Sequence, residues 1–344
     1  MLLAIAVGLG SLVGAQPPPD PTTVRALGDQ ILRCRHEATG VLFLEPTSRR
    51  PGGLVPYFSH FAAVGLVRAY TVTGDLRYLE AADAWIEWYR AHQRDDGTVT
   101  DYRLNDDETL TSTGEMDSTD SYAAMYLWLV AERWRASQQP VDWLTDRERS
   151  CVLALSAILL TMQADGLTIA KPSYPIEYAM DNAEVIVGLH GASQVFDALD
   201  NPGLARHCAY LAGRAEAELR TLYSEDLGYF AWHRDLQGKA VWELSTWYPD
   251  VMAQVLVLMR IGRPEAPDRH VFELVAERFL AAEFEPDRPS EHIWYGLAAH
   301  RVGNRDWTDK IIAPLNELSA DRIAELDALR CSSILEALTG GTWP

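Results

Sequence analysis

The sequence predicts an all-α protein whose helices form six antiparallel hairpins in two concentric layers. Helix-period segments alternate between short turns and long polar connections rich in Gly and Pro. Outer-helix ends repeat, HQRDDGTVT at 92–100 against MQADGLTIA at 162–170. Candidate inner-helix starts near residues 57, 120 and 181 are about 60 residues apart, as two helices plus their connections require.

Residues 1–15 are apolar and end in Val13-Gly14-Ala15, which suits signal-peptide cleavage before Gln16 and predicts a secreted or periplasmic protein. The run is too short for a secure membrane span, so no integral span is expected. Residues 16–21 read as a Pro-rich tether and 22–344 as one domain. Thr22 to Arg35 carries Val24, Leu27, Ile31 and Leu32 on one helical stripe. Pro56 to Thr73 begins with a proline in its first turn and stops at Gly74, where Asp75 can cap the returning helix Leu76 to Gln93. The pattern recurs with a helix at 118–136 that returns through Val141 to Gln163, and one at 181–199 that returns through 204–223. Between 224 and 246, Gly228-Tyr229-Phe230-Ala231-Trp232 and Ala240-Val241-Trp242-Glu243-Leu244 predict a small β-hairpin. Helices near 249–262, 268–283, 291–302, 305–317 and 321–339 give six inner and six outer helices if the N-terminal helix pairs with the C-terminal one.

The formal net charge of -19 argues against nucleic acid or an anionic lipid surface as partner. Cys34, Cys151, Cys208 and Cys331 show neither CxxC nor Cys/His ligand spacing, so no structural metal is expected. They read as buried thiols, with a Cys151–Cys208 or Cys34–Cys331 bridge open in an exported chain. No Gly-x-Ser-x-Gly, GxGxxG or Walker pattern is present, and no cofactor is expected.

Three inner helices begin with acids and aromatics. GEMDSTDSYAAMYLW at 114–128 places Asp117 and Asp120 three residues apart, on one helical face, with Tyr122 following. KPSYPIEYAMDNAEVIVGL at 171–189 offers Asp181 and Glu184 after Tyr178, and ELSTWYPDVMAQVLVL at 243–258 offers Asp250 beside Trp247 and Tyr248. Each acid also stands where a helix cap would, so capping is the competing reading. Recurrence with aromatics at corresponding positions favours a shared site over capping alone. An apolar helix beside Asp120, with Tyr122 near, makes it the expected general acid, with Asp181 or Asp250 as base.

These stretches, together with AAVGLVRAYTVTGDLRYLEAADAWIEWYRAHQRDDG at 62–97, resemble the six-hairpin glycosidase superfamily, the (α/α)6 toroids, over nearly all the chain after residue 20. The resemblance implies a glycoside hydrolase of a polysaccharide or oligosaccharide, with its groove where long connections feed the inner-helix N-termini. Tyr57, His60, Asp117, Tyr122, Tyr178, Glu184, Trp247, Tyr248, Glu291, His292 and Trp294 are the expected substrate contacts at that rim. It also implies inversion, with water between carboxyls roughly 6.5 to 9.5 Å apart. Two other functions fit the same scaffold. An isomerase, epimerase or polysaccharide lyase would use His60, His292 and Tyr248, and a non-catalytic toroid would bind glycans without turnover.

Overall fold

Residues 18–47, 53–137 and 141–340 are described by the computed structural model, apart from the side chain of Ser137. The leader-like residues 1–15 and the first two tether residues lie outside the described residues. In chain order the first helices are α1 (Pro21–Leu32), α2 (Pro56–Thr73), α3 (Leu76–His92), α4 (Asp120–Ser137), α5 (Val141–Thr145) and α6 (Glu148–Thr161). Then come α7 (Ala179–Ala198), α8 (Pro202–Arg220), α9 (Met252–Ile261), α10 (Asp268–Val275) and α11 (Ala281–Glu283). The last are α12 (Ile293–Arg301), α13 (Arg305–Ile312), α14 (Ala320–Ala324) and α15 (Ala328–Leu338).

Helices α2, α4, α7, α9, α12 and α15 pack one on the next in that order, and α15 returns to α2. Around this inner ring, α3, α6, α8, α10 and α13 each lie against an inner helix, while α1 packs on both α15 and α2. The N-terminal helix therefore closes the ring, as the hairpin count requires. Helix composition follows from the layer. In α4 every side chain from Tyr122 to Ala131 is buried, because an inner helix is covered on all sides. Outer α8 buries only the stripe Ala205, Cys208, Leu211, Ala212, Ala215 and Leu219. Inner neighbours approach closely: a Cβ on Gly188 in α7 would lie 2.4 Å from the Ala124 carbonyl oxygen of α4. All four cysteines are buried and unbridged. Among the described residues no helix is long and apolar enough to cross a membrane.

Three expected elements differ in detail. The Val141 to Gln163 helix is broken between α5 and α6, and 321–339 is broken between α14 and α15, where Asp327 accepts the Arg330 amide at 2.7 Å and starts a new helix. The expected hairpin pairs otherwise. Tyr229–Phe230 joins Tyr223–Ser224, while Ala240–Val241 joins His233–Asp235. The reason is local: Asp235 accepts amides of Gln237 and Lys239 at 3.0 and 2.9 Å, fixing the tight turn at Gly238, φ 79°.

Short strands cluster on the long connections. β1 (Gly53–Leu54), β2 (Tyr102–Leu104) and β3 (Leu110–Ser112) form one sheet. β4 (Ile176–Tyr178) pairs with β7 (His233–Asp235), which pairs with β8 (Ala240–Val241). β5 (Tyr223–Ser224) and β6 (Tyr229–Phe230) stand as a separate pair. β1 and β4 lead directly into the N-termini of α2 and α7, so these sheets mark the rim of the ring.

Candidate active site

The inner-helix N-termini open onto a cavity of about 490 Å³. Asp117, Asp181, Tyr174, Tyr178 and Tyr248 line its rim. Along α9 the lining runs from Met252 to Arg260, about 12 Å of helix rise, so the cavity reaches well into the ring.

The Asp181 carboxyl is left unengaged by the surrounding protein. It sits in the first turn of α7, whose N-cap residue Tyr178 makes no side-chain capping bond. Among the described residues nothing donates a hydrogen bond to its carboxyl, although it lines the cavity. Burial raises its pKa well above the ordinary carboxyl range, and the charges of Asp120, Glu184 and Asp117 push the same way. Asp117, exposed on the connection into α4, lines the same cavity and presents a second carboxyl.

Asp120 and Asp250 are placed differently from the sequence expectation. Asp120 is fully buried and does not line the cavity. Its carboxyl accepts Ser118 Oγ at 2.6 Å, the Ser121 amide at 2.8 Å and Thr168 Oγ1 at 2.6 Å, which ties the start of α4 to the connection before α7. Burial raises its pKa against the pull of those donors. Asp250 is also buried away from the cavity. It accepts amides of Ser245 and Thr246 at 2.7 and 2.9 Å and both hydroxyls at 3.0 Å. Burial opposes ionisation there, but these four donors outweigh it and hold the pKa below the usual range. Both aspartates thus fit the capping reading, and of the three only Asp181 faces the cavity.

Glu184 lies one turn below Asp181, buried, and accepts the Tyr57 hydroxyl at 2.8 Å. Burial raises its pKa to about 7 against the opposing effects of Arg260 and Tyr57. Tyr57, Tyr122, Tyr178, Tyr248 and Trp294 line the cavity. Tyr122 also donates to Asp101 at 2.8 Å, and Trp294 Nε1 donates to Ser333 Oγ at 3.1 Å.

The remaining expected contacts lie elsewhere. His60 is wholly buried and points outward to α3, where its Nδ1 accepts Trp85 Nε1 at 3.1 Å; burial lowers its pKa to about 3. Glu291 is held by Arg322 and by Arg330 at 3.4 Å. His292 packs between Phe284 and Tyr295, and Trp247 stacks on Trp294 at 6.2 Å from outside the cavity lining.

Sequence reasoning missed Arg260, Lys171, Tyr174 and the apolar lining of the lower cavity. Arg260 is wholly buried, 3.3 Å from Glu336, with its guanidinium 5.2 Å from the Phe61 ring centroid. The one available signal was a lone charge in the apolar α9 sequence MAQVLVLMRI. Lys171 donates to the Met116 carbonyl at 2.6 Å, bracing the connection that carries Asp117. Among the described residues no group of His, Cys, Asp and Glu could hold a metal ion.

No protein-family model and no curated protein matches the sequence. Solved structures do. A rhamnosidase from Klebsiella oxytoca with rhamnose bound superposes at a TM-score of 0.62 and 14% identity, over 94% of this chain and 65% of that one. An α-amylase from Clostridium perfringens gives 0.61 at 11% identity, over 95% of this chain and 100% of that one. A further glycosidase gives 0.60 at 14% identity, over 93% and 95%. The fold is the (α/α)6 toroid. At these identities the likeness establishes architecture, and the chain spans less than two thirds of the rhamnosidase. The cavity brings the Asp117 and Asp181 carboxyls to a collar of tyrosines.

Proposed function

We propose that the protein is a glycoside hydrolase in which Asp181 is the general acid and Asp117 the base that activates water. The observation that carries this is Asp181: a cavity carboxyl with no protein hydrogen bond, kept protonated by burial and neighbouring acids. A protonated carboxyl can deliver its proton to the leaving glycosidic oxygen, while an exposed one can take a proton from attacking water. The tyrosines around them offer flat faces for sugar rings and hydroxyls for their polar edges. That the rhamnosidase holds rhamnose, and that a variant of the third glycosidase was solved with glucose, adds support for a sugar ligand.

The cavity is the size of one bound small molecule, which favours cleavage at a chain end over a groove spanning several sugars. Export follows as part of the same proposal, supported by the leader-like composition of residues 1–15. The test is release of reducing sugar from a panel of aryl glycosides and oligosaccharides by the wild-type protein and by Asp181→Asn. Turnover of at least one substrate, lost in the variant, is expected. Turnover that survives the substitution removes Asp181 from the mechanism. Unsaturated, ultraviolet-absorbing products would instead indicate a lyase.

A further inference from the structure

The cavity changes character with depth. The rim carries the carboxyls, the Lys171 ammonium and the hydroxyls of Tyr174, Tyr178 and Tyr248, beside Val55, Met180 and Met252. Below, Phe61 of α2 and Leu256 and Met259 of α9, each a turn or more into its helix, form a well of hydrocarbon side chains, with Phe58 and Leu329 at its mouth in the first turns of α2 and α15. The polar groups at this depth are already engaged: Arg260 is held against Glu336 and over the Phe61 ring, and the Tyr57 hydroxyl donates to Glu184.

A pyranose carries several hydroxyls, and each one buried without a partner is unfavourable by about 1–3 kcal/mol. A sugar in this well would leave most of its hydroxyls facing carbon. An alkyl or aryl group there would instead remove apolar surface from water on both sides. The hydrolase reading therefore implies more than a sugar. We propose that the substrate is a glycoside of an apolar alcohol, alkyl or aryl, whose hydrocarbon part fills the well while its sugar rests among the rim tyrosines.

The position of the acid agrees. Asp181 follows Met180 at the first turn of α7, where the polar and apolar linings meet, and the glycosidic oxygen would lie at that boundary. In the reaction the bond between the anomeric carbon and that oxygen breaks. Water supplies the new hydroxyl on the sugar, its second proton passes to Asp117, and Asp181 gives its proton to the departing alcohol. The apolar alcohol is thus released from the well and the sugar from the rim.

The experiment is calorimetric titration of the wild-type protein with n-alkyl 1-thioglycosides, which resist cleavage, from methyl to octyl on glucose, galactose and rhamnose. In at least one sugar series affinity should rise about fourfold per methylene through hexyl. In Leu329→Trp, which closes the mouth of the well from a half-buried position, the slope should collapse; Met259→Ser, which makes the floor of the well polar, reads the same slope if the larger residue does not fold. Equal affinity for methyl and octyl ligands, or tighter binding of a tetrasaccharide than of the octyl ligand, overturns the proposal. The two readings separate cleanly. A slope without hydrolysis of any alkyl glycoside refutes the hydrolase alone, and oligosaccharide hydrolysis without a slope refutes the apolar well alone.

Discussion

Replacing Asp181 and Asp120 by alanine should have opposite consequences, although both acids stand at inner-helix N-termini. Asp120→Ala removes the acceptor of three hydrogen bonds from Ser118, Ser121 and Thr168 at a site with no solvent access. Two donors keep an alternative: the Ser121 amide is 3.1 Å from Ser118 Oγ, and Thr168 Oγ1 is 3.1 Å from Asn182 Oδ1. The loss is then closer to one unsatisfied donor plus a small cavity than to three, about 2–4 kcal/mol. For a chain of this length that corresponds to a melting temperature lower by roughly 3–6 °C. Asp181→Ala removes no hydrogen bond and relieves a carboxyl that burial holds in an unfavourable state, so its melting temperature should match or exceed wild type. Its turnover should fall by about 10²–10⁴-fold, the contribution of a positioned general acid. Differential scanning calorimetry and a reducing-sugar assay on the two variants read both axes. An Asp120→Ala protein that melts normally but is inactive would refute the assignment, as would an active Asp181→Ala protein.

Other consequences follow from the same geometry. Since the raised pKa keeps Asp181 protonated, kcat/KM should fall as pH rises through that pKa, and a pH–rate profile checks for this alkaline limb. Glu184 has its folded pKa raised from 4.5 to about 7, so the stability it contributes is fully present below the lower value and lost as pH rises through the upper one. Glu184→Gln should flatten the melting temperature across that window, measured by thermal scans at stepped pH. Tyr57→Phe removes the phenol that donates to Glu184 and should lower stability by about 1 kcal/mol, visible as a shifted urea midpoint. Gly188→Ala would drive a methyl into the Ala124 backbone, which cannot move without parting α4 from α7, and should destabilise by about 3 kcal/mol or more in the same titration.

The ring was legible because turn lengths and helix starts are local properties. Short turns at Gly74 and at Asp200 to Gly203 impose antiparallel neighbours, and the long connections between them declare which ends carry the rim. The site was less legible, for a reason that lies in the inner layer. A helix buried all round has no polar face to reveal its phase, so Phe58 and Phe61 turn to the cavity while His60, between them in sequence, turns outward to Trp85. The aspartates pose the related problem that a cap and a catalytic acid occupy the same local position. What separates Asp120 from Asp181 is Thr168, which reaches Asp120 from 48 residues away and has no counterpart at Asp181.

That difference also explains how the rim can hold a protonated acid at a place where helix geometry opposes it. The first turn of α7 presents free amides and the positive end of its dipole, which favour an ionised Asp181. Three further acids work against this: Asp120, Glu184 and Asp117 all raise its pKa, and burial strips away the water that would screen them. Their countercharges are placed so as not to interfere. Arg260 is engaged with Glu336 deeper in the ring, and Lys171 is turned to the Met116 carbonyl. If a cation stood beside Asp181 instead, the carboxyl would ionise and lose its capacity to protonate a leaving oxygen. In the proposed reaction the buried, hydrogen-bonded Asp120 would act without touching the cavity, since its charge raises the Asp181 pKa. Asp120→Asn should accordingly shift the alkaline limb of the pH–rate profile to lower pH. An unmoved limb would show that burial alone sets the acid.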